Sequence, residues 1–411
     1  MNGISKIREE VMTKFWYKDP IYGTFEIPEF IKPLFHTELA VRARDITMGT
    51  VVNQFRVSGS LPSRFHHGVG AMRLALLVCN SNLYLTEDEK RLILSSALMH
   101  DWGNSPFAHL IERLMKQAIG HDGESFLEVL LDHPIGYSTK KALINIGVEP
   151  MDVVKMIRGR MKPFSDIIHG DMDVDNLDNI YRYAWCTGSL YGPERITPSN
   201  IAKCFKWDDC WSLGGNVNLP HWINGWKELR RNVYEEIYTA PHLVVATMIF
   251  QAAWDAYQVG TLTKNDFYKS DSEMVRLLLD ASPDLMRKIQ NWDWFKQVVN
   301  ITTTEPSDRL KAFSGDFESR ISLGLEFARR NKLQTSQVTI YAGPDKMERR
   351  INLPVSWYSG DTTVEELLAS TFNSSNSATL PTTYRVHVNL DREVADQFEE
   401  QATEFVEAEI L

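Results

Sequence analysis

The chain has 411 residues with an ordinary share of apolar and aromatic side chains, 11 of them Trp, so it can bury one large core or two and is not disordered throughout. A net charge of −10 argues against extended binding to nucleic acid, which needs clustered Lys and Arg. It leaves room for a small polyanion in a pocket whose local charge is reversed.

No apolar run reaches the ~18 residues of a membrane span. The opening MNGISKIREEVMTKFWYKD has no secretory apolar stretch. Cys79, Cys186, Cys204 and Cys210 show no CxxC spacing. A cytoplasmic protein with reduced thiols and no membrane partner is therefore expected.

From about 28 to 260 the apolar pattern is mainly helical. His66 to Leu77 reads as a helix whose first turn presents His67 while Val69, Met72, Leu76 and Leu77 pack. Thr86-Glu87-Asp88-Glu89 reads as a capping box, and the helix it opens carries Leu92, Ile93, Ala97 and Leu98 and ends near His100. Gly103, Ser105 and Pro106 break it, and Phe107 to Ala118 resumes helical spacing. Asp175, Asp178 and Arg182 lie three and four apart, on one helix face. The stretch 204–226, with Trp207, Trp211, Trp222 and Trp226, reads as an aromatic-rich loop, either a packed insertion or a pocket wall. Helical patterning returns from Trp226 to about Tyr257 and from 272 to 300.

After about 333 the character changes. Residues 338–342 and 384–390 alternate as half-buried strands do, with a Ser/Thr/Asn-rich loop at 370–382 between them. Val394, Phe398, Ala402, Phe405 and Val406 mark a final amphipathic helix. The expected fold class is mainly α with a small C-terminal α/β subdomain, divided as 1–330 and 331–411.

Three islands fit one metal site: Arg64-Phe65-His66-His67, His100-Asp101, and Asp173-Val174-Asp175. Imidazole and carboxylate hold a divalent metal while leaving positions open for water and a phosphate oxygen. An adjacent His-Asp pair is awkward to bury unless the carboxylate is paired or ligated. Two imidazoles and two carboxylates suit Mn, Fe, Co, Ni or Zn better than the all-oxygen set that Mg favours.

The ordered stretches DPIYG at 19–23, RARDI at 42–46, RFHHGVGAM at 64–72, HDWGNSPFAH at 100–109, His121 to Ser125, and MDVDNLDNIYR at 172–182 resemble the signatures of the HD-domain phosphohydrolases. They resemble more narrowly the SAM-and-HD-domain branch of deoxynucleoside triphosphate triphosphohydrolases, over roughly 15–280. The resemblance implies an HD-type helical core over 1–330 and a metal held by His67, His100, Asp101 and Asp175. His67 is preferred to His66 because the family's ligand stands two residues after Phe, and register favours Asp175 over Asp173 and Asp178.

It further implies that Arg64 and His109 meet phosphate, that His121, His109 and Asp101 are the catalytic groups, and that Arg230 and Tyr238 add phosphate and base-or-sugar contacts. Oligomers that close the nucleotide pocket are common in the family, so a homo-oligomer is expected. Three positions depart from the pattern. Asn104 replaces a histidine and cannot shuttle a proton. Asn179 and Tyr183 replace the tyrosine and aspartate that flank deoxyribose. The leading expectation is cleavage of a (deoxy)nucleoside triphosphate to nucleoside and tripolyphosphate. The alternatives are phosphatase or phosphodiesterase action on another nucleotide, and a nucleotide-binding regulatory protein with weakened turnover.

Overall fold

The computed structural model describes residues 15–56, 59–190, 197–239, 241–315, 317–357, 360–372 and 382–411. It is mainly helical, with two separate apolar cores. A short hairpin, β1 (Trp16–Asp19) and β2 (Gly23–Glu26), precedes α1 (Glu38–Arg44), α2 (Arg64–Ser81) and α3 (Glu87–Met99). Helices α4 (Glu112–Ile119), α5 (Gly123–Asp132), α6 (Tyr137–Asn145), α7 (Pro150–Ile157), α8 (Val174–Thr187) and α9 (Pro198–Ala202) follow.

Local chemistry sets the ends that matter for the site. Ser63 caps α2, accepting from the His66 amide. The expected capping box at Thr86 and Glu89 opens α3, and His100 stands at its C-terminal cap. Asp122 caps α5, Asp173 caps α8, and Gly188 ends α8 in the left-handed conformation. Helix α2 lies between α3 and α8, and two glycines permit this. A Cβ on Gly68 would overlap the Leu98 carbonyl of α3, and one on Gly70 would overlap Asp178 and Arg182 of α8. The HHGVG stretch thus lets backbones approach closely beside its second histidine.

Two expectations shift. Phe107 does not resume the helix: Phe107 and Ala108 are left-handed (φ 58 and 48), and α4 begins at Glu112. The buried Asp271 carboxylate holds the Phe107 amide at 2.7 Å and the Thr47 amide at 2.7 Å, which outweighs the local spacing. The stretch 204–226 is an antiparallel hairpin, β3 (Phe205–Asp208) and β4 (Cys210–Gly214), followed by the start of α10 (Leu219–Tyr238). Its Trp211 donates Nε1–H to the Phe164 carbonyl, and Trp207 and Phe164 meet edge to face, so these rings pack the insertion.

Helices α11 (His242–Gln258), α12 (Asp271–Ala281) and α13 (Pro283–Gln290) complete the first core. Residues 296–300, where helix was expected, belong instead to β5 (Lys296–Thr303), because they pair antiparallel with the C-terminal strand β9 (Tyr384–Leu390). Between β5 and β9 come α14 (Asp308–Gly315), α15 (Phe317–Asn331), β6 (Val338–Pro344), β7 (Pro354–Trp357), β8 (Gly360–Thr363) and α16 (Val364–Thr371), and α17 (Arg392–Glu409) closes the chain.

The sheet order β5-β9-β6, backed by α14, α15 and α17, forms the second core. It begins at Val299, upstream of 331, while Ile351, Val355, Val364, Leu367 and Leu368 pack into the first core, with β7 and β8 extending the β3-β4 sheet. The expected loop at 370–382 lies largely outside the described residues. Among the described residues no helix is long and apolar enough to cross a membrane.

Candidate metal centre and phosphate cavity

The four expected ligands come from three helix ends brought together by the α2–α3 and α2–α8 packing. His67 Nε2 lies 3.1 Å from His100 Nε2. Asp175 Oδ1 lies 2.9 Å from the first and 3.4 Å from the second. Asp101 Oδ2 lies at 3.6 and 3.4 Å from the same two nitrogens. His67, His100 and Asp101 alone keep one ligand atom each within 4.8 Å of the others, and Asp175 joins through both imidazoles.

A second layer fixes the tautomers. His67 Nδ1 donates to Asp178 Oδ2 (2.7 Å) and His100 Nδ1 to the Ala97 carbonyl (2.9 Å), so each neutral ring turns its Nε2 lone pair toward the other. Two facing lone pairs 3.1 Å apart need a proton or a cation between them. Asp178 is further held by Arg182 (2.7 and 2.9 Å) and the Tyr22 hydroxyl (2.7 Å), and Arg182 reaches Asp19 at 3.0 Å. With neutral imidazoles, Asp19, Asp101, Asp173, Asp175 and Asp178 set five negative charges against three, Arg64, Arg182 and Arg349. The surplus equals one divalent cation, and both donor set and charge fit one.

The titration directions say the same. Burial disfavours imidazolium at His67, yet the Asp175 and Asp178 carboxylates outweigh it and raise the pKa. At His100 burial is likewise overcome by Asp101 and Asp175, which push the pKa well above the usual value. Burial would raise Asp101 and Asp175, but Arg64 and His100 hold the first well below the carboxylate range, and His100 with His67 lowers the second. Asp178, buried but facing Arg182 and His67, sits at about 2.

Above this cluster opens a cavity of about 420 Å³. Arg64, Asn104, His109 and Asn179 line it with three of the proposed ligands, His100, Asp101 and Asp175. Arg64 donates to Asp101 Oδ2 at 2.6 Å and keeps a buried Nε–H with no partner. Asn104 donates to Asp101 Oδ1 at 2.7 Å. His109 Nδ1 donates to Glu112 Oε2 at 2.9 Å.

Other candidates stand elsewhere. His121 is half-buried in the turn before α5, near the Phe126 ring, and does not line the cavity. Tyr183 is buried with its hydroxyl 3.5 Å from Arg56. Arg230 stacks over Tyr234 and donates to the Lys346 carbonyl, and Tyr238 packs against Tyr341; neither lines the cavity. Sequence reasoning missed Arg113, Lys116, His169 and Lys346, all of which line it. They belong to no motif, and only the DKMERR run after β6 offered a signal, with three basic residues among six.

No family model matches the sequence. The chain is 33% identical over 336 residues to the deoxynucleoside triphosphate triphosphohydrolase SAMHD1 homolog of Dictyostelium discoideum, covering 72% of this chain and 62% of that protein. It is 28% identical over 184 residues to the uncharacterized protein YwfO of Bacillus subtilis, covering 43% of this chain and 41% of the other. The chain thus spans less than two thirds of the length of these curated relatives.

Among solved structures, a hypothetical protein from Aquifex aeolicus superposes with a TM-score of 0.71 at 17% identity, over 95% of this chain and all of that one. A phosphohydrolase from Bacteroides thetaiotaomicron gives 0.67 at 16% identity, over 92% and 100%. These two share the fold. With the relatives matched along the sequence and the His/His-Asp/Asp cluster in place, the chain belongs to the HD-domain phosphohydrolase superfamily, on its SAM-and-HD-domain-like branch.

Proposed function

We propose that the protein is a metal-dependent phosphohydrolase that cleaves a (deoxy)nucleoside triphosphate to nucleoside and tripolyphosphate. The observation that carries this reading is a buried His/Asp cluster flooring a cavity lined by Arg64, His109, Arg113, Lys116, His169 and Lys346. Metal-binding carboxylates lie below, and the wall sets Arg64, Arg113, Lys116 and Lys346 among Glu112, Asp122 and Glu124, so with a cation bound the site suits a polyphosphate ester. The relative from Dictyostelium is named for the same reaction.

A divalent cation held by His67, His100, Asp101 and Asp175 would supply Lewis acidity and lower the pKa of water. The protein's own groups do the rest. Arg64, fixed by Asp101 through Nη1, lines the cavity and offers its guanidinium to a phosphate oxygen. Hydrolysis puts a water oxygen on the α-phosphorus and a proton on the departing 5′ oxygen. His109 lines the cavity with one nitrogen engaged by Glu112 and the other available to carry that proton. Asn179 lines the cavity and Tyr183 does not, so the sugar is read differently from the family's tyrosine–aspartate pair. A homo-oligomer is carried over by resemblance alone.

The test is a screen of dNTPs and NTPs with Mn, Fe, Co and Mg, with products separated by chromatography. Tripolyphosphate release is expected; orthophosphate or pyrophosphate would replace this reading with a phosphatase or phosphodiesterase. One observation favours a second reading, a nucleotide-binding regulatory protein: the Asn104 amide occupies a proton-carrying position and is already bonded to Asp101. Near-zero wild-type turnover raised by Asn104→His would establish it.

A further inference from the structure

We infer that Lys346, delivered to the cavity by the strap 345–353, binds the outermost phosphates of the substrate, so that the second core supplies part of the site. This rests on the triphosphate reading above. The strap leaves β6 of the second core and enters β7, which belongs to the first.

It is fastened at several points within a few residues of the lysine. The Asp345 amide donates to the Thr383 carbonyl at 2.8 Å. Buried Arg230 donates to the Lys346 carbonyl at 2.7 Å. Arg349 donates to Asn176 Oδ1 and to the Gly170 carbonyl, both at 2.6 Å, and Asn176 directly follows Asp175 in α8. Ile351 donates to Glu365 at 2.9 Å, and Asn352 to Asp171 at 3.0 Å. A loop that only joined two strands would not need anchors on the helix that carries a ligand.

The side chain on this fixed backbone is exposed and lines the cavity, and among the described residues it has no ion-pair partner. Two of its neighbours in charge differ: Lys116 faces Asp122 at 3.8 Å and His169 faces Glu124 at 3.5 Å. An unpaired ammonium on a flexible four-carbon stem suits an anion whose position varies by an ångström or two, as the distal end of a polyphosphate does. This placement also explains Arg230, which acts on the site by holding the Lys346 backbone.

The test uses the full chain with Lys346→Ala, an exposed position whose loss leaves both cores intact, and Lys346→Arg. Calorimetric titration with inorganic tripolyphosphate in the presence of Mn is expected to show about tenfold weaker binding for the alanine variant and recovery for arginine. In turnover assays KM rises by the same factor while kcat stays within about twofold. Unchanged tripolyphosphate affinity in the alanine variant overturns the inference, and so does a wild-type protein that does not bind tripolyphosphate. Wild-type protein that binds it through Lys346 yet cleaves no nucleoside triphosphate overturns the functional reading and leaves the lysine's role standing.

Discussion

The floor and the rim of the cavity are built on opposite principles. On the floor, His67 and Asp178 are fully buried and Arg182 is 1% exposed, each locked by two or more partners. On the rim, the side chains of His109, His169 and Lys116 are 53%, 45% and 68% exposed, with single partners. The floor holds its geometry before any ligand arrives, which is what a metal and the reacting phosphate require. The rim is adaptable and screened by salt, so it selects charge without fixing position. Floor substitutions should therefore remove metal and turnover together, and rim substitutions other than at His109, the proposed proton carrier, should move KM alone.

The sharpest break comes from Asp101→Ala, which deletes a proposed ligand and the partner of Arg64. Loss of bound metal and a turnover decrease of about 10³-fold or more are expected. Metal analysis beside product chromatography checks this; retained metal would refute the ligand assignment. Asp178→Ala touches no proposed ligand position but frees His67 and strips Arg182 of a buried partner. Metal affinity should fall about 10–100-fold. Stability should fall by about 3 kcal/mol in urea titrations, since a buried guanidinium loses one of its two carboxylates.

Acidity sharpens the same contrast. In ion-free protein the raised His67 and His100 pKa values stabilise the fold below the ordinary 6.5, and this contribution disappears as pH rises through the folded values. Metal needs both rings neutral, so its affinity changes the other way, weakening by up to about 100-fold per pH unit once both are protonated. Melting curves with and without metal should therefore separate as pH increases. A constant gap would show that the imidazoles are not ligands.

The floor was legible in the sequence because helix periodicity and motif fix it: a helix start presents His67, a capped helix ends at His100, and Asp175 lies one turn from Asp178. Even Asp178 as the partner of Arg182 follows from i,i+4 spacing. The rim was not legible, because Arg113, His169 and Lys346 come from separate elements joined only by tertiary packing. The strand at 296–303 was misread as helix for a related reason: its pairing partner lies some ninety residues downstream, and local apolar spacing carries no record of it.

The smallest expected effect belongs to Arg113, and it tests the rim most directly. This residue lies in the first turn of α4, exposed, lining the cavity, with no carboxylate partner among the described residues. A cation at a helix N-terminus opposes the macrodipole, so the position costs the fold something and gives nothing back to it. Arg113→Ala should raise the melting temperature slightly while increasing KM about threefold at low ionic strength. The KM difference should fade near ~1 M salt, where the Debye length is about 3 Å. A loss in kcat that survives salt would instead place Arg113 among the preorganised groups and dissolve the distinction between floor and rim.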